Sequence, residues 1–180
     1  MRIVGGKHRG RNLIRVGKDT TRETADMVKE SVFNMLGGSI QGVVLDLFAG
    51  SGAYGLEALS RGASFLYAVD HDRVAVKTII ENAKTIKEMD HVDVSLKDYA
   101  RFLATIDEKI MFDVVFVDPP YDLDVYHDVL EKLDRRMQPD GYIVCESKKQ
   151  IVLPEQILSL TKIKEKIYGI KRVTIYQKEE

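Results

Sequence analysis

The tetrapeptide Asp118-Pro119-Pro120-Tyr121 concentrates more chemistry than any other stretch of this sequence. Two consecutive prolines remove two N–H donors and fix two φ angles. The residue before a proline is held extended, which restricts Asp118 and Pro119 themselves. The product is a stiff corner presenting a carboxylate, bare carbonyl oxygens and an aromatic ring together, a seat for a planar ligand that carries an NH₂ group. The alternative is a strand followed by a proline turn and nothing more. The run Phe112-Asp113-Val114-Val115-Phe116-Val117 just before it reads as a fully buried parallel strand. Ligands of open α/β sheets bind beyond strand ends of this kind.

A second constellation runs from Leu45 to Gly55, a strand entering a glycine turn and then a helix. Gly50-x-Gly52-x-x-Gly55 matches the dinucleotide fingerprint, and Asp70 closes the next strand 20 residues after Gly50, where a ribose-binding acid belongs. A nicotinamide-dependent Rossmann oxidoreductase is therefore one reading. Asp46 favours another, because it places a negative charge where a pyrophosphate would have to approach. A carboxylate there suits a ligand with an ammonium or sulfonium group. S-adenosylmethionine carries both, and its ribose offers two hydroxyls to Asp70. Asp98 follows a third strand and can accept a hydrogen bond from an adenine amine, or act as the N-cap of the next helix, or both.

These residues need a frame that holds strand ends side by side. From Val43 onward the pattern alternates strand and helix. The expected strands are 43–48, 65–70, 92–96, 112–118 and 142–147, and the expected helices 55–61, 73–85, 99–106 and 125–136. Two further strands, 160–166 and 169–177, lie too close together for a crossover helix and must form an antiparallel hairpin. The fold expected is α/β: a doubly wound, Rossmann-like, seven-stranded and mostly parallel sheet with an antiparallel C-terminal hairpin. Ahead of it, residues 2–16 read as a short β-hairpin. Thr20 and Glu23 have capping-box spacing. A helical stripe of Val28, Val32, Phe33 and Leu36 then ends at Gly37-Gly38. A single domain over 1–180 is expected, with 1–38 an extension on a catalytic core of 39–180.

The chain has 180 residues, enough for one substantial core. With 44% hydrophobic and 31% charged residues it is ordinary for a globular protein, and it shows neither a membrane-spanning run nor a signal peptide. A cytoplasmic setting without membrane contact is expected. Cys145 lies in an apolar strand and reads as a structural thiol. The four histidines lack metal-ligand spacing, so no metal is expected. The net charge of −1 argues against a strong nucleic-acid binder overall. The arm between Arg2 and Lys18 nevertheless carries Lys7, Arg9, Arg11 and Arg15 without an acid, and could hold phosphates or be a solvated basic hairpin.

Asp46-Leu47-Phe48-Ala49-Gly50-Ser51-Gly52 and Asp118-Pro119-Pro120-Tyr121 resemble the cofactor and catalytic motifs of S-adenosylmethionine-dependent methyltransferases that act on exocyclic amines. More narrowly, the chain resembles the bacterial 16S ribosomal RNA guanine-N2 methyltransferases. That match rests on Ile3 to Arg11, on the helix from Arg22 to Asn34, on Gly55 to Arg61 and on Glu146-Ser147, so it spans nearly the whole chain. One departure is Arg22-Glu23, where the family usually has a proline after the arginine. The resemblance implies methyl transfer to the N2 amine of a guanine in small-subunit ribosomal RNA, free or in an assembly particle, by a monomer. Asp118 and the Pro119 carbonyl would accept the amine N–H bonds, and Tyr121 would stack on the base. The cofactor contacts implied are Asp46, Phe48, Ala49, Gly50, Ser51, Gly52, Asp70, Asp98 and Tyr99. Lys7, Arg9, Arg11 and Arg22 would hold RNA, with Lys148 and Lys149 as further phosphate contacts. Competing readings are methylation of adenine N6 in DNA or RNA, methylation of a protein glutamine, the oxidoreductase above, and a non-catalytic RNA-binding module.

Overall fold

The computed structural model describes residues 1–17 and 22–180, and within the first helix the side chains from Ala25 onward. The capping pair Thr20 and Glu23 and the Arg22 side chain lie outside the described residues. Helix α1 (Arg22–Met35) leads into β1 (Val43–Asp46), α2 (Ala53–Ser60), β2 (Phe65–Asp70), α3 (Arg73–Thr85), β3 (Val92–Leu96), α4 (Tyr99–Thr105), β4 (Phe112–Val117), α5 (Tyr126–Asp134) and β5 (Met137–Lys148). A two-residue β6 (Gln156–Ile157) precedes the hairpin of β7 (Leu160–Tyr168) and β8 (Lys171–Lys178). The sheet order is β3-β2-β1-β4-β5-β8-β7-β6. Neighbours from β3 to β5 are parallel, and those from β5 to β6 antiparallel. The doubly wound sheet and the antiparallel hairpin agree with expectation. The sheet has eight strands rather than seven, because β6 is too short to leave a periodic signal.

Alternate residues of the parallel strands enter two cores. Val44, Leu66, Val114 and Phe116 pack with Val28, Phe33, Leu56 and Ile79 on one face. Leu45, Val69, Val115 and Val117 pack with Phe102, Val129, Leu130 and Leu133 on the other. Helices cover both faces, which is why these strands read as continuous apolar runs. Order reverses between β1 and β4, so their carboxyl ends diverge and open a crevice there. No helix among the described residues is long and apolar enough to cross a membrane.

The N-terminal segment forms the expected hairpin in a reduced form: one antiparallel bridge, Arg2 to Asn12, is flanked by hydrogen bonds from the Ile3 N–H to the Arg11 carbonyl (2.9 Å) and from the Gly10 and Leu13 N–H groups to the Ile3 and Met1 carbonyls (both 2.8 Å). Other N–H groups of the arm turn to α2. The buried Glu57 carboxylate accepts from the Val4 N–H at 3.0 Å and the Gly5 N–H at 2.8 Å. Ser60 accepts the His8 N–H at its hydroxyl (2.9 Å) and the Lys7 N–H at its carbonyl (2.8 Å). Gly6 has φ +75°, and a Cβ there would sit 1.9 Å from the Ser60 carbonyl oxygen. Glu57 also pairs with Arg61 at 2.9 Å and with Lys29 of α1 at 3.3 Å, and Lys29 donates to the Arg2 carbonyl at 2.7 Å. Helix α1 closes as expected at the two glycines, Gly38 N–H donating to the Phe33 carbonyl at 2.8 Å. It meets the C-terminal hairpin through Lys164, which donates to the Met35 carbonyl (2.7 Å), and through a Ser31–Tyr168 hydroxyl pair.

Glu57 is fully buried and neutralises two nearly buried cations. Glu57→Ala should destabilise the protein by about 3–5 kcal/mol in urea unfolding, because Lys29 and Arg61 would be left buried and unpaired. A loss below about 1 kcal/mol would show that the arm is not anchored in this way.

Candidate functional site

The crevice at the β1–β4 reversal is a cavity of about 530 Å³. Its floor is Asp46, Asp118 and Glu146 at three strand ends, and its walls include Phe48 to Ser51, Tyr54, Asp70, Pro119 to Tyr121 and Lys171. Met1, Val16 and the α1 residues Ala25, Asp26 and Val28 close the side nearest the arm. A recess of about 200 Å³ adjoins it past Phe48 and Asp70, lined also by Asp98, Tyr99, Pro120 and Leu123. Of the expected cofactor residues, Gly52 alone lines neither space.

The glycine turn is held from below. Gly50 N–H donates to Asp70 Oδ2 at 2.9 Å, and Gly55 N–H donates to Asp46 Oδ2 at 3.0 Å, fixing the start of α2. Burial drives the Asp46 carboxyl up to about 7; the Gly55 N–H opposes this, and the negative charges of Asp70 and Glu146 add to it. Asp70 accepts a second N–H, from Asp72, at 2.8 Å. Asp98 caps α4, accepting the Arg101 N–H at 2.8 Å, so its capping role is realised while it also lines the recess. Tyr99 packs against Phe48 with ring centroids 5.6 Å apart and donates its hydroxyl to Asp128 at 2.8 Å.

The proline corner gathers residues that the sequence did not connect. Asp118 and Glu146 share the floor of the cavity, and the Asp118 carboxyl is raised well above the usual range by burial first and by the Glu146 charge second, with Lys171 opposing. Glu146 is 4% exposed and forms an ion pair with Lys171 at 3.1 Å. Tyr54 lines the same cavity, and burial is the main reason its hydroxyl is held far above its ordinary range, with the Glu146 charge adding to it. Tyr121 is half exposed, and the Lys148 ammonium lies 5.8 Å from its ring centre. Glu146 carried a signal, an acid inside an apolar strand. Lys171 carried none, because it meets Glu146 only through the β5–β8 pairing, diagonally across the register that opposes Glu146 to Val173. Tyr54 lay hidden inside the glycine motif.

The basic arm is divided. Arg9 and Arg11 are exposed, but Lys7 pairs with the nearly buried Glu88 at 2.5 Å, beside His8 at 2.6 Å and His91 at 2.9 Å. Lys148 and Lys149 are exposed at the end of β5 and in the turn after it. Cys145 is buried, and its thiol is pushed up by burial.

A family model described as conserved hypothetical protein 95 matches residues 1–177. A relative named putative rRNA methyltransferase YlbH, from Bacillus subtilis (strain 168), is 40% identical over 182 residues, covering 99% of each chain. Ribosomal RNA small subunit methyltransferase D of Escherichia coli (strain K12) is 34% identical, covering 99% of this chain and 90% of the relative. A solved structure described as putative methyltransferase yhhF from Escherichia coli superposes with a TM-score of 0.84 at 32% identity, covering 99% of this chain and 98% of that one.

Asp46 has a pH consequence. Its folded pKa of about 7 lies above the unfolded value of 3.8, so the native state binds the proton more tightly. The stabilisation is complete below about pH 4 and is lost as pH rises towards 7. Asp46→Asn should therefore gain stability over the wild type between pH 4 and 8, by up to about 4 kcal/mol, measured by thermal melting of the free protein. Parallel pH profiles would overturn this assignment.

Proposed function

Because the chain belongs to the family described as conserved hypothetical protein 95, we propose that it methylates the exocyclic N2 amine of a guanine in small-subunit ribosomal RNA, with S-adenosylmethionine as methyl donor. The observation that carries this reading is the Asp118-Pro119-Pro120-Tyr121 corner opening onto the same cavity as the glycine turn. Support for RNA as substrate comes from relatives named for ribosomal RNA methylation that align over nearly the whole chain. The narrower choice of guanine N2 rests on the corner's chemistry and on the motifs of the arm and α1.

The residues present suit the donor. S-adenosylmethionine supplies a methyl group on a sulfonium centre and carries an ammonium besides. The buried Asp46 carboxyl offers the negative charge those cations require, whereas a pyrophosphate would meet repulsion there. The space where a Gly50 Cβ would project is open, so backbone can be approached closely at the turn. Asp70 retains lone pairs for ribose hydroxyls beyond its two N–H bonds. The recess between Phe48, Tyr99 and Leu123, with Asp98 at its edge, fits a flat adenine ring and its amine.

Asp118 and the Pro119 carbonyl accept the two N–H bonds of the target amine. Its lone pair is delocalised into the base, and acceptors on both hydrogens draw the nitrogen towards tetrahedral geometry. Catalysis is then positioning and stabilisation of charge growing on nitrogen. Tyr121, half exposed at the mouth, offers one ring face to the base while Lys148 lies near the ring. A base can reach this depth only after leaving its stack. The segment 1–38 borders the same cavity through Met1, Val16 and α1, and we assign to it the phosphates flanking that base.

Asp118→Ala should lower methyl transfer to small-subunit particles at least about a hundredfold while S-adenosylmethionine still binds in calorimetry; retained turnover would remove Asp118 from the reaction. On the arm, Arg9→Ala with Arg11→Ala should weaken RNA binding and reduce the salt slope by about two. Lys7→Ala should change that slope little, since its ammonium is paired with Glu88. An unaltered slope in the double variant would mean that the arm is only solvated.

A further inference from the structure

Five ionisable side chains face Asp118 from four elements and its own loop: Asp46 from β1, Tyr54 from α2, Glu146 from β5, Lys171 from β8, and Tyr121 beside it; Tyr126 of α5 lies further behind. Two lysines line the cavity. Lys29 is committed to Glu57 and the Arg2 carbonyl. Among the described residues, Lys171 is therefore the cation available to this acidic floor. Its ammonium is 3.1 Å from Glu146, and the residue lines the cavity together with Asp118 and Tyr121. Its side chain is 32% exposed, against 4% for Glu146, so it bridges solvent and the buried acids.

We propose that Lys171 is a positioning residue for methyl transfer: its ammonium engages Glu146 at the floor of the cavity and makes the carboxylate form of Asp118, the form that accepts the N–H bonds of the amine, easier to reach than it would be beside the acids alone. Asp118 with its proton on would donate to Glu146 and lose part of its capacity as an acceptor. Burial and the Glu146 charge both favour that protonated form, and Lys171 is the group that counters them. Burial alone would discharge Lys171, but Glu146 and Asp118 outweigh it and hold the ammonium in its charged form. This role rests on the amine-methyltransferase reading above.

The test compares wild type, Lys171→Met and Lys171→Arg in the full chain. In Lys171→Met the loss of a neighbouring opposite charge should move the acid limb of kcat/KM for small-subunit particles to higher pH by about one unit or more, with activity recovering at alkaline pH. Lys171→Arg should restore most of the wild-type profile. Proton release on binding S-adenosylmethionine, measured calorimetrically near neutral pH in buffers of different ionisation enthalpy, should rise in Lys171→Met, because more Asp118 begins protonated. A kcat/KM lowered by one factor at every pH, with unchanged proton release, would overturn the proposal and leave Lys171 a structural pair. Absence of transfer by the wild type to any RNA would instead remove the substrate reading, and the proton-release comparison would still decide the role of Lys171.

Discussion

Acidic side chains set with little compensation at the ends of three adjacent strands are the constraint around which this molecule is organised. Asp46, Asp118 and Glu146 project from the carboxyl ends of β1, β4 and β5, the strands flanking the reversal of sheet order. Below them the strands are apolar on both faces, so the acids sit on a floor that cannot solvate them. Burial is accordingly the leading influence on both Asp46 and Asp118. What the fold supplies in compensation is limited: one Gly55 N–H for Asp46 and one ammonium, Lys171, for Glu146. The deficit favours a cationic ligand and a hydrogen-bond-donating one together, which is what the proposed reaction would bring to the site.

The second charged centre of the fold shows the opposite solution. Glu57 is as deeply buried, yet it is surrounded by two cations and two backbone N–H groups. That centre fastens the arm to α2 and α1 and thereby builds the wall of the cavity formed by Met1, Val16 and α1. A saturated acid stabilises structure, and an under-compensated acid a short distance away stays responsive to ligands. The contrast separates architecture from chemistry.

How much of this was legible in the sequence follows the range of each interaction. The glycine turn, the proline corner, the strand–helix alternation and the two glycines ending α1 are local signals, and each appears where expected. Asp98 was read as both cap and cavity residue, and it caps α4 at the edge of the recess. The N-terminal hairpin was legible as a pair of limbs but not in its anchoring, because Glu57 and Ser60 on a distant helix take the N–H groups of Val4, Gly5, Lys7 and His8. Lys7 looked like its basic neighbours, and only the fold brings Glu88 to it. Lys171 was invisible for the same reason. Its partner sits 25 positions earlier and is reached through strand pairing that no short window contains.

The C-terminal hairpin thus does more than close the sheet. Strand β8 runs antiparallel to β5, so the first residues of β8 lie beside the carboxyl end of β5, where the cavity is. A parallel strand in that place would bring its last residues there, and its N-terminal residues would lie at the far edge. Antiparallel pairing is what delivers Lys171 to Glu146 and places Lys148, on the last residue of β5, over Tyr121. The same hairpin touches α1 through Tyr168 and Lys164. The corner is therefore braced from the side opposite the glycine turn, and the arm, α1 and the hairpin form one continuous rim. Tyr121 is the exposed residue of the corner while Asp46 and Glu146 are nearly buried, so under the proposed reading a base would meet the ring before the acids, and stacking would precede hydrogen bonding.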